Sequence, residues 1–455
     1  MNKKQKLLTG IPGRSLFFFA MPMILGNLFQ QFYNMVDSMI VGRYVGEDAL
    51  AAVGASYSFT NVFIMIAIGG GIGASVLTSQ YLGAEKHLEM KTSIYTFLIT
   101  FSVLSTLLAV FGLYCNPQIL SALGTPTNIY EDAVRYLQLY FLGLPFMFMY
   151  NILAANFNAL GKSGIPLALL IFSSILNIFL DLLLVIHFDR GVEGVAIATV
   201  IAQGVSAMLS FLLLIFLLHG YPTQKCPRLF DFSILLHGTT IAIPSIVQQS
   251  IVSIGMLLTQ SSVNQFGSSA LAGYTAGMRL ESIAIVPMIG TGNAMSTFTA
   301  QNLGANQPER VQQGYRSSYG IIAGFAIFLL LICQFFYRPI LSAFMDTNAS
   351  VVAYTTGAAY LRFIGWFFCL IGFKATTDGV LRGSGDVMVY MVANLINLGL
   401  RVSVARICSP IWGIQMIWYA VPLGWCVNYL ISLFRYRTGH WQEKAFVTRK
   451  QSTAG

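Results

Sequence analysis

The chain has 455 residues, of which 56% are hydrophobic and 9% charged, and its formal net charge is +9. Soluble globular domains carry about 25% charged residues, so this composition excludes a surface facing only water and leaves lipid as the main solvent. The basic residues are scattered over short connections between apolar runs, which excludes a nucleic-acid-binding stripe and points to membrane topology.

The first apolar run, 14–41, follows Lys3, Lys4 and Lys6. It is longer than the roughly 7–15 residues of a signal-peptide core, and no small-residue cleavage site follows it, so it reads as an uncleaved span. About 20 apolar residues cross a bilayer as a helix. Runs at 49–81, 92–113, 133–159, 166–186 and 192–218 complete a first set of six. A second six follows at 235–263, 269–301, 314–336, 352–380, 387–407 and 412–434. The expected organisation is an N-terminal lobe (1–218), a basic, proline-containing linker (219–234), a C-terminal lobe (235–436) and a tail (437–455). With the N-terminus in the cytoplasm, 17 Lys and Arg fall on inner segments and only four to six on outer ones. That bias satisfies the positive-inside rule, and the even span number returns the basic tail to the cytoplasm. The expectation is a multi-pass protein of the cell membrane with both termini inside.

The two sets repeat at an offset of about 221 residues. Gln80-Tyr81-Leu82-Gly83-Ala84 answers Gln301-Asn302-Leu303-Gly304-Ala305, and Leu160-Gly161-Lys162-Ser163-Gly164 answers Leu381-Arg382-Gly383-Ser384-Gly385. Pro22 and Pro244 nearly superpose. An offset of six spans keeps both halves in the same orientation, so the fold class is all-α polytopic: two six-helix bundles related by a parallel pseudo-two-fold axis. A cleft between such lobes suits alternating access.

Catalytic and metal-binding motifs are missing from the sequence. The six cysteines and five histidines show no ligand spacing, and neither HExxH nor GxSxG occurs. Gly69-Gly70-Gly71 and Gly73 sit inside the second span with no GK[ST], so they read as close-packing positions and not as a phosphate loop. An enzyme is not expected, nor is a cofactor.

Acidic residues at bilayer depth cost about 2.5–3.5 kcal/mol on insertion scales, so they usually face a cavity. Asp37 lies six residues before Arg43 at the outer end of the first span, and Asp181 eight before Asp189 at the outer end of the fifth. At about 1.5 Å per residue the two carboxylates reach similar depth. Asn177 shares the helical face of Asp181 one turn away, and Tyr33, Asn34, Thr199 and Gln203 offer further polar partners. Two carboxylates in one apolar lobe form a site for H+ or Na+. In the second lobe Arg401 holds the repeat position of Asp181, and Glu281 is a cavity candidate. Arg279 is two residues from Glu281 and points elsewhere; Lys374 and Asp378 can pair four apart near Arg382.

From about Gly13 to Arg437 the chain resembles the multidrug and toxic compound extrusion (MATE) family. The resemblance is carried by Gln30-Gln31-Phe32-Tyr33-Asn34-Met35-Val36-Asp37-Ser38-Met39-Ile40-Val41-Gly42, by Ala49-Leu50-Ala51-Ala52-Val53-Gly54 and by the repeated segments above. It implies antiport of lipophilic organic cations against H+ or Na+. It makes Asp37 the coupling acid, accompanied by Asn177, Asp181 and Thr199. The substrate cavity would draw on Tyr33, Asn34, Gln203, Glu281 and Arg401. The partners implied are a small-molecule substrate and membrane lipid, with the chain acting as a monomer. Two other readings stay open. A lipid-linked saccharide flippase would use Arg279, Lys374 and Arg401, with export of an endogenous metabolite beside it. A non-transporting membrane enzyme or sensor would need a catalytic cluster.

Overall fold

The computed structural model describes residues 6–122, 124–342 and 350–448. Lys3, Lys4, Arg449 and Lys450, counted in the charge bias, lie outside the described residues. In lipid every backbone N–H and C=O must find a partner within the protein, and a helix supplies one to each locally. The described chain is accordingly a succession of helices. They are α1 (Pro12–Ile40), α2 (Glu47–Gly83), α3 (His87–Ala122), α4 (Thr127–Ala159), α5 (Gly164–Leu182) and α6 (Gly191–His219), followed by α7 (Phe232–Val263). The eighth span is two segments, α8a (Ser268–Ala284) and α8b (Val286–Gly304). After α9 (Pro308–Phe335), the tenth is α10a (Val351–Ile364) and α10b (Phe368–Ser384), joined by one 3-10 turn. The last two are α11 (Val387–Trp412) and α12 (Gln415–Arg437). Each of the twelve expected spans coincides with one of these helices or helix pairs. Ten stretches among the described residues are long and apolar enough to cross a membrane by length and composition.

Two compact units emerge, and their boundaries fall inside helices. One comprises Leu25–Ile246; the other comprises Met1–Ile24 with Val247–Gly455. The chain changes unit two residues after Pro22 in α1 and two residues after Pro244 in α7. A proline within a helix removes one backbone hydrogen bond and loosens the turn before it.

Inside each unit the helices keep the same neighbours. In the first, α4 packs on α2, α3 and α6, and α5 packs on α6. In the second, α10b packs on α8b, α9 and α12, and α11 packs on α12. Small residues bring backbones together where α2 meets α7 and where α8b meets α10b. A Cβ on Gly73 would stand 2.7 Å from the Gly238 carbonyl oxygen, and one on Gly383 only 2.2 Å from that of Ser296. The glycine run in α2 therefore serves close packing, the usual use of small residues between membrane helices.

Gly383→Leu is expected to lower the unfolding temperature in detergent by the overpacking penalty, about 1–3 kcal/mol. Gly399→Leu should leave it nearly unchanged, because nothing stands within 4 Å of that position. Equal shifts would contradict the backbone-contact reading.

Candidate functional site

The spans carrying Asp37 and Asp181 end alike. α1 runs into a π-helical turn at Val41–Val45, and α5 into another at Leu183–His187. Such turns widen the helix by one residue and recur at functional sites. The two turns touch, and Val41 and Val185 are buried together with Ala49, Val192 and Val195. This cluster, with Val45, Val53 and Tyr136 against it, clamps the ends of α1, α5 and α6 beside α2 and α4.

Just before the clamp the two carboxyls meet. Asp37 and Asp181 lie within hydrogen-bonding reach of each other. Asp181 has no exposed surface, whereas Asp37 is half-buried. Asn177, one turn along α5, donates its amide to Asp181 Oδ2 at 2.9 Å and to the Tyr33 hydroxyl at 3.1 Å. Its carbonyl accepts the Thr199 N–H at 3.2 Å, an orientation that satisfies both ends of the amide. Tyr33, one turn before Asp37 on α1, also hydrogen-bonds Thr199. The Thr199 hydroxyl donates to the Val195 carbonyl at 3.0 Å, which fixes its rotamer. Acceptors outnumber donors here: Oδ1 of Asp37 and Oδ1 of Asp181 are buried and meet no donor among the described residues. An arrangement of this kind can hold a proton between the carboxyls or take up a small cation.

Four expected residues of the first lobe, Asn177, Asp181, Thr199 and Tyr33, are thus assembled around Asp37. Asn34 is turned aside, exposed, and accepts from Gln30 Nε2 at 3.0 Å. Gln203 is half-buried one turn beyond Thr199. Tyr136 was not anticipated. Its side chain comes close to both carboxyls from α4. Its place near the start of the fourth span, at the depth estimated for Asp37 and Asp181, is the signal that could have found it.

In the second unit, Glu281 of α8a is buried and accepts a short hydrogen bond from the Tyr360 hydroxyl of α10a. The Arg401 guanidinium of α11 faces both Glu281 and the Tyr274 hydroxyl. Tyr274 and Tyr360 lie 5.2 Å apart between ring centres, with Trp418 5.9 Å from Tyr360. Val263, Tyr274, Ala405 and Ile417 share one apolar cluster and stand at the repeat positions of Val41, Val53, Val185 and Val195. The same scaffold therefore ends both lobes, with an acid–base pair in the second where the first holds two acids. Arg279 is exposed and apart from Glu281. Lys374 pairs with Asp378 at 3.1 Å and with Asn394 at 3.1 Å, while Ser432 donates to Asp378 at 2.6 Å. Arg382 turns away to Asn293 and Ser296.

A two-lobed bundle with parallel repeats and buried carboxylates defines a polytopic membrane transporter. The MatE family model matches residues 22–183 and again 244–407, so each half carries its own copy and the chain belongs to the MATE family of multidrug efflux transporters. Members of this family are transporters and need no cofactor. Among its relatives are two probable multidrug resistance proteins of Bacillus subtilis strain 168. YoeA is 30% identical over 448 residues, covering 95% of this chain and 94% of its own length. YpnP is 27% identical over 439 residues, with 96% and 97% covered. A FAD transporter of Shewanella oneidensis is 26% identical, with 96% of each chain covered. The solved structure of a MOP superfamily transporter from Pyrococcus furiosus shares the fold at a TM-score of 0.89 and 22% identity, over 97% of this chain and 99% of that one.

Glu281 is buried and Arg401 is the cation that faces it, so losing Arg401 leaves a buried carboxylate without a facing counter-charge. Arg401→Leu is therefore expected to destabilise the protein strongly in detergent unfolding. Glu281→Gln should restore much of the loss when the two are combined. Additive effects in that cycle would show that the two groups do not interact.

Proposed function

We propose that the protein is an antiporter that exports lipophilic organic cations in exchange for H+ or Na+, with Asp37 and Asp181 as the shared coupling site. The observation that carries this reading is the surplus of buried acceptors between α1, α5 and α6, which a proton or Na+ would neutralise. Asn177, Thr199, Tyr33 and Tyr136 would position the two carboxyls. In the outward-open state the ion binds the pair, cancels its charge and releases the bound cation. When the ion leaves to the cytoplasm, the restored negative charge captures the next one. Pro22 lies fifteen residues before Asp37 on the same helix, and the loosened turn there gives α1 a place to bend as its charge changes.

The charge bias supports an orientation with both termini in the cytoplasm, and lobes divided by the basic linker at 219–234 follow the repeat. A saccharide flippase would need free cations for pyrophosphate. Lys374 and Arg401 each face a buried carboxylate, which weakens that alternative. The Shewanella relative's name keeps metabolite export as a second reading, and the substrate arm of the assay addresses it.

In everted vesicles, acidifying the lumen should drive ethidium inward, with about tenfold accumulation per pH unit for an electroneutral one-for-one exchange. A Na+-coupled protein should respond instead to a Na+-loaded lumen. Asp37→Asn, expressed at wild-type level, should cut the gradient-driven component at least about tenfold, one pH unit's worth of coupling. Full drug accumulation by that variant would overturn the mechanism. Gradient-driven movement of flavin adenine dinucleotide without ethidium would overturn the cationic substrate class.

A further inference from the structure

Away from the carboxylates, the second unit contains a cavity of about 440 Å3 at the end where α12 gives way to the tail. Small-molecule sites occupy roughly 300–1,000 Å3. Tyrosines from α9 and α12 wall it, the tail closes it with Trp441, and two guanidinium groups, Arg316 and Arg437, line it. Among the described residues no acidic side chain does so.

Three neighbouring arginines at this end of the unit are engaged elsewhere. Arg310 donates to Asn302 and to the carbonyls of Leu7 and Gly10; Arg382 donates to Asn293 and Ser296. Arg435 pairs with Asp386 at 2.6 Å. Arg316 and Arg437 make no ion pair among the described residues, and both are exposed at the cavity. Paired cations fasten the fold, whereas these two present uncompensated charge to the open cavity.

The hydroxyls define what else a ligand must bring. Thr377 spends its hydrogen on the Phe373 carbonyl at 2.7 Å, so it can only accept from Tyr315, 2.7 Å away. Tyr315 must then accept from Tyr319, and Tyr319 from Tyr429 at 3.0 Å. Every proton in this chain runs inward, away from the cavity. Tyr429, at its end, has lone pairs left and no hydrogen, since a phenol carries one donor and two acceptor sites. The cavity thus combines bidentate anion donors with a neutral acceptor. Trp441 is held beneath by its Nε1–H to the Tyr436 carbonyl at 3.0 Å and stacks on the Tyr436 ring.

We propose that this cavity binds a phosphate ester bearing a hydroxyl donor: the phosphate lies on Arg316 and Arg437, and the hydroxyl donates to Tyr429. Guanidinium forks match phosphate oxygens, and basic pockets among membrane helices take anionic lipid headgroups. A phosphatidylglycerol headgroup and free glycerol phosphate share this chemistry.

The test is equilibrium binding of radiolabelled phosphatidylglycerol to delipidated, detergent-purified full-length protein. Arg316→Gln with Arg437→Gln should weaken binding at least tenfold, while Arg316→Lys with Arg437→Lys, which keeps the charges but loses the bidentate forks, should fall between that variant and wild type. Tyr429→Phe should reduce the preference for phosphatidylglycerol over phosphatidylcholine, whose headgroup has no hydroxyl donor, by about fivefold, as for one hydrogen bond of about 1 kcal/mol. Competition by sn-glycerol 1-phosphate at similar concentration identifies a soluble phosphate ester as the ligand; competition by the lipid alone identifies the headgroup. Wild-type binding by the glutamine double variant, or equal competition by phosphatidylcholine, would overturn the proposal.

Discussion

Holding two carboxyls against each other inside an apolar bundle is the constraint around which the first lobe is arranged. Left alone, the pair would separate or draw in water. Here the ends of α1 and α5 are joined by a valine cluster immediately beyond the acids, so the helices cannot part without exposing Val41 and Val185. One donor network, Asn177 to Asp181 with Tyr33 and Thr199 tied to it, orients the group from the inner side. The network satisfies one oxygen of Asp181 and leaves one on each acid without a donor. That leaves more acceptors than donors around the two carboxyls.

The second lobe shows what the scaffold does without that constraint. In its corresponding apolar cluster Tyr274 stands where the first lobe has Val53, and Tyr360 and Trp418 pack beside it. Arg401, at the repeat position of Asp181, faces Glu281, so the buried charges cancel within the lobe. A buried acid–base pair contributes less to stability than its Coulomb energy suggests, since both ions are desolvated. Its effect is to keep that region neutral. One architecture thus occurs twice, with two acids meeting in one copy and an acid facing a base in the other.

Much of this was legible from residue order, for identifiable physical reasons. Span positions follow from the length a helix needs to cross hydrocarbon, so α1 to α12 fell where the apolar runs did. The meeting of Asp37 and Asp181 was visible as equal depth, because 1.5 Å of rise per residue converts distance from a helix end into height. Depth carries no information about azimuth, which is why Asn34, equally deep and equally polar, turned out to face Gln30 instead. Tyr136 escaped for the complementary reason: an aromatic near the end of a span is ordinary interfacial composition, and only its packing against α1 and α5 distinguishes it. The breaks within the eighth and tenth spans escaped as well. The eighth breaks at Ile285, one turn past buried Glu281 and just before Pro287, and the tenth at Gly365–Phe367 in an otherwise apolar run.

The unit boundaries add a step that neither hydropathy nor repeat supplied. The repeat places each lobe's beginning at its first helix, yet the compact units begin at Leu25 and Val247, within α1 and α7. Both changes come two residues past a proline at equivalent repeat positions, where the missing N–H frees a carbonyl one turn earlier. Each of these helices therefore has a beginning packed in one unit and an end packed in the other, with its weakest backbone turn between. In α1 the end segment is the one that carries Asp37. Any force on that carboxyl acts on a segment that begins just past that loosened turn. The corresponding segment of α7 carries no acid, so the same mechanical design is present twice and charged once.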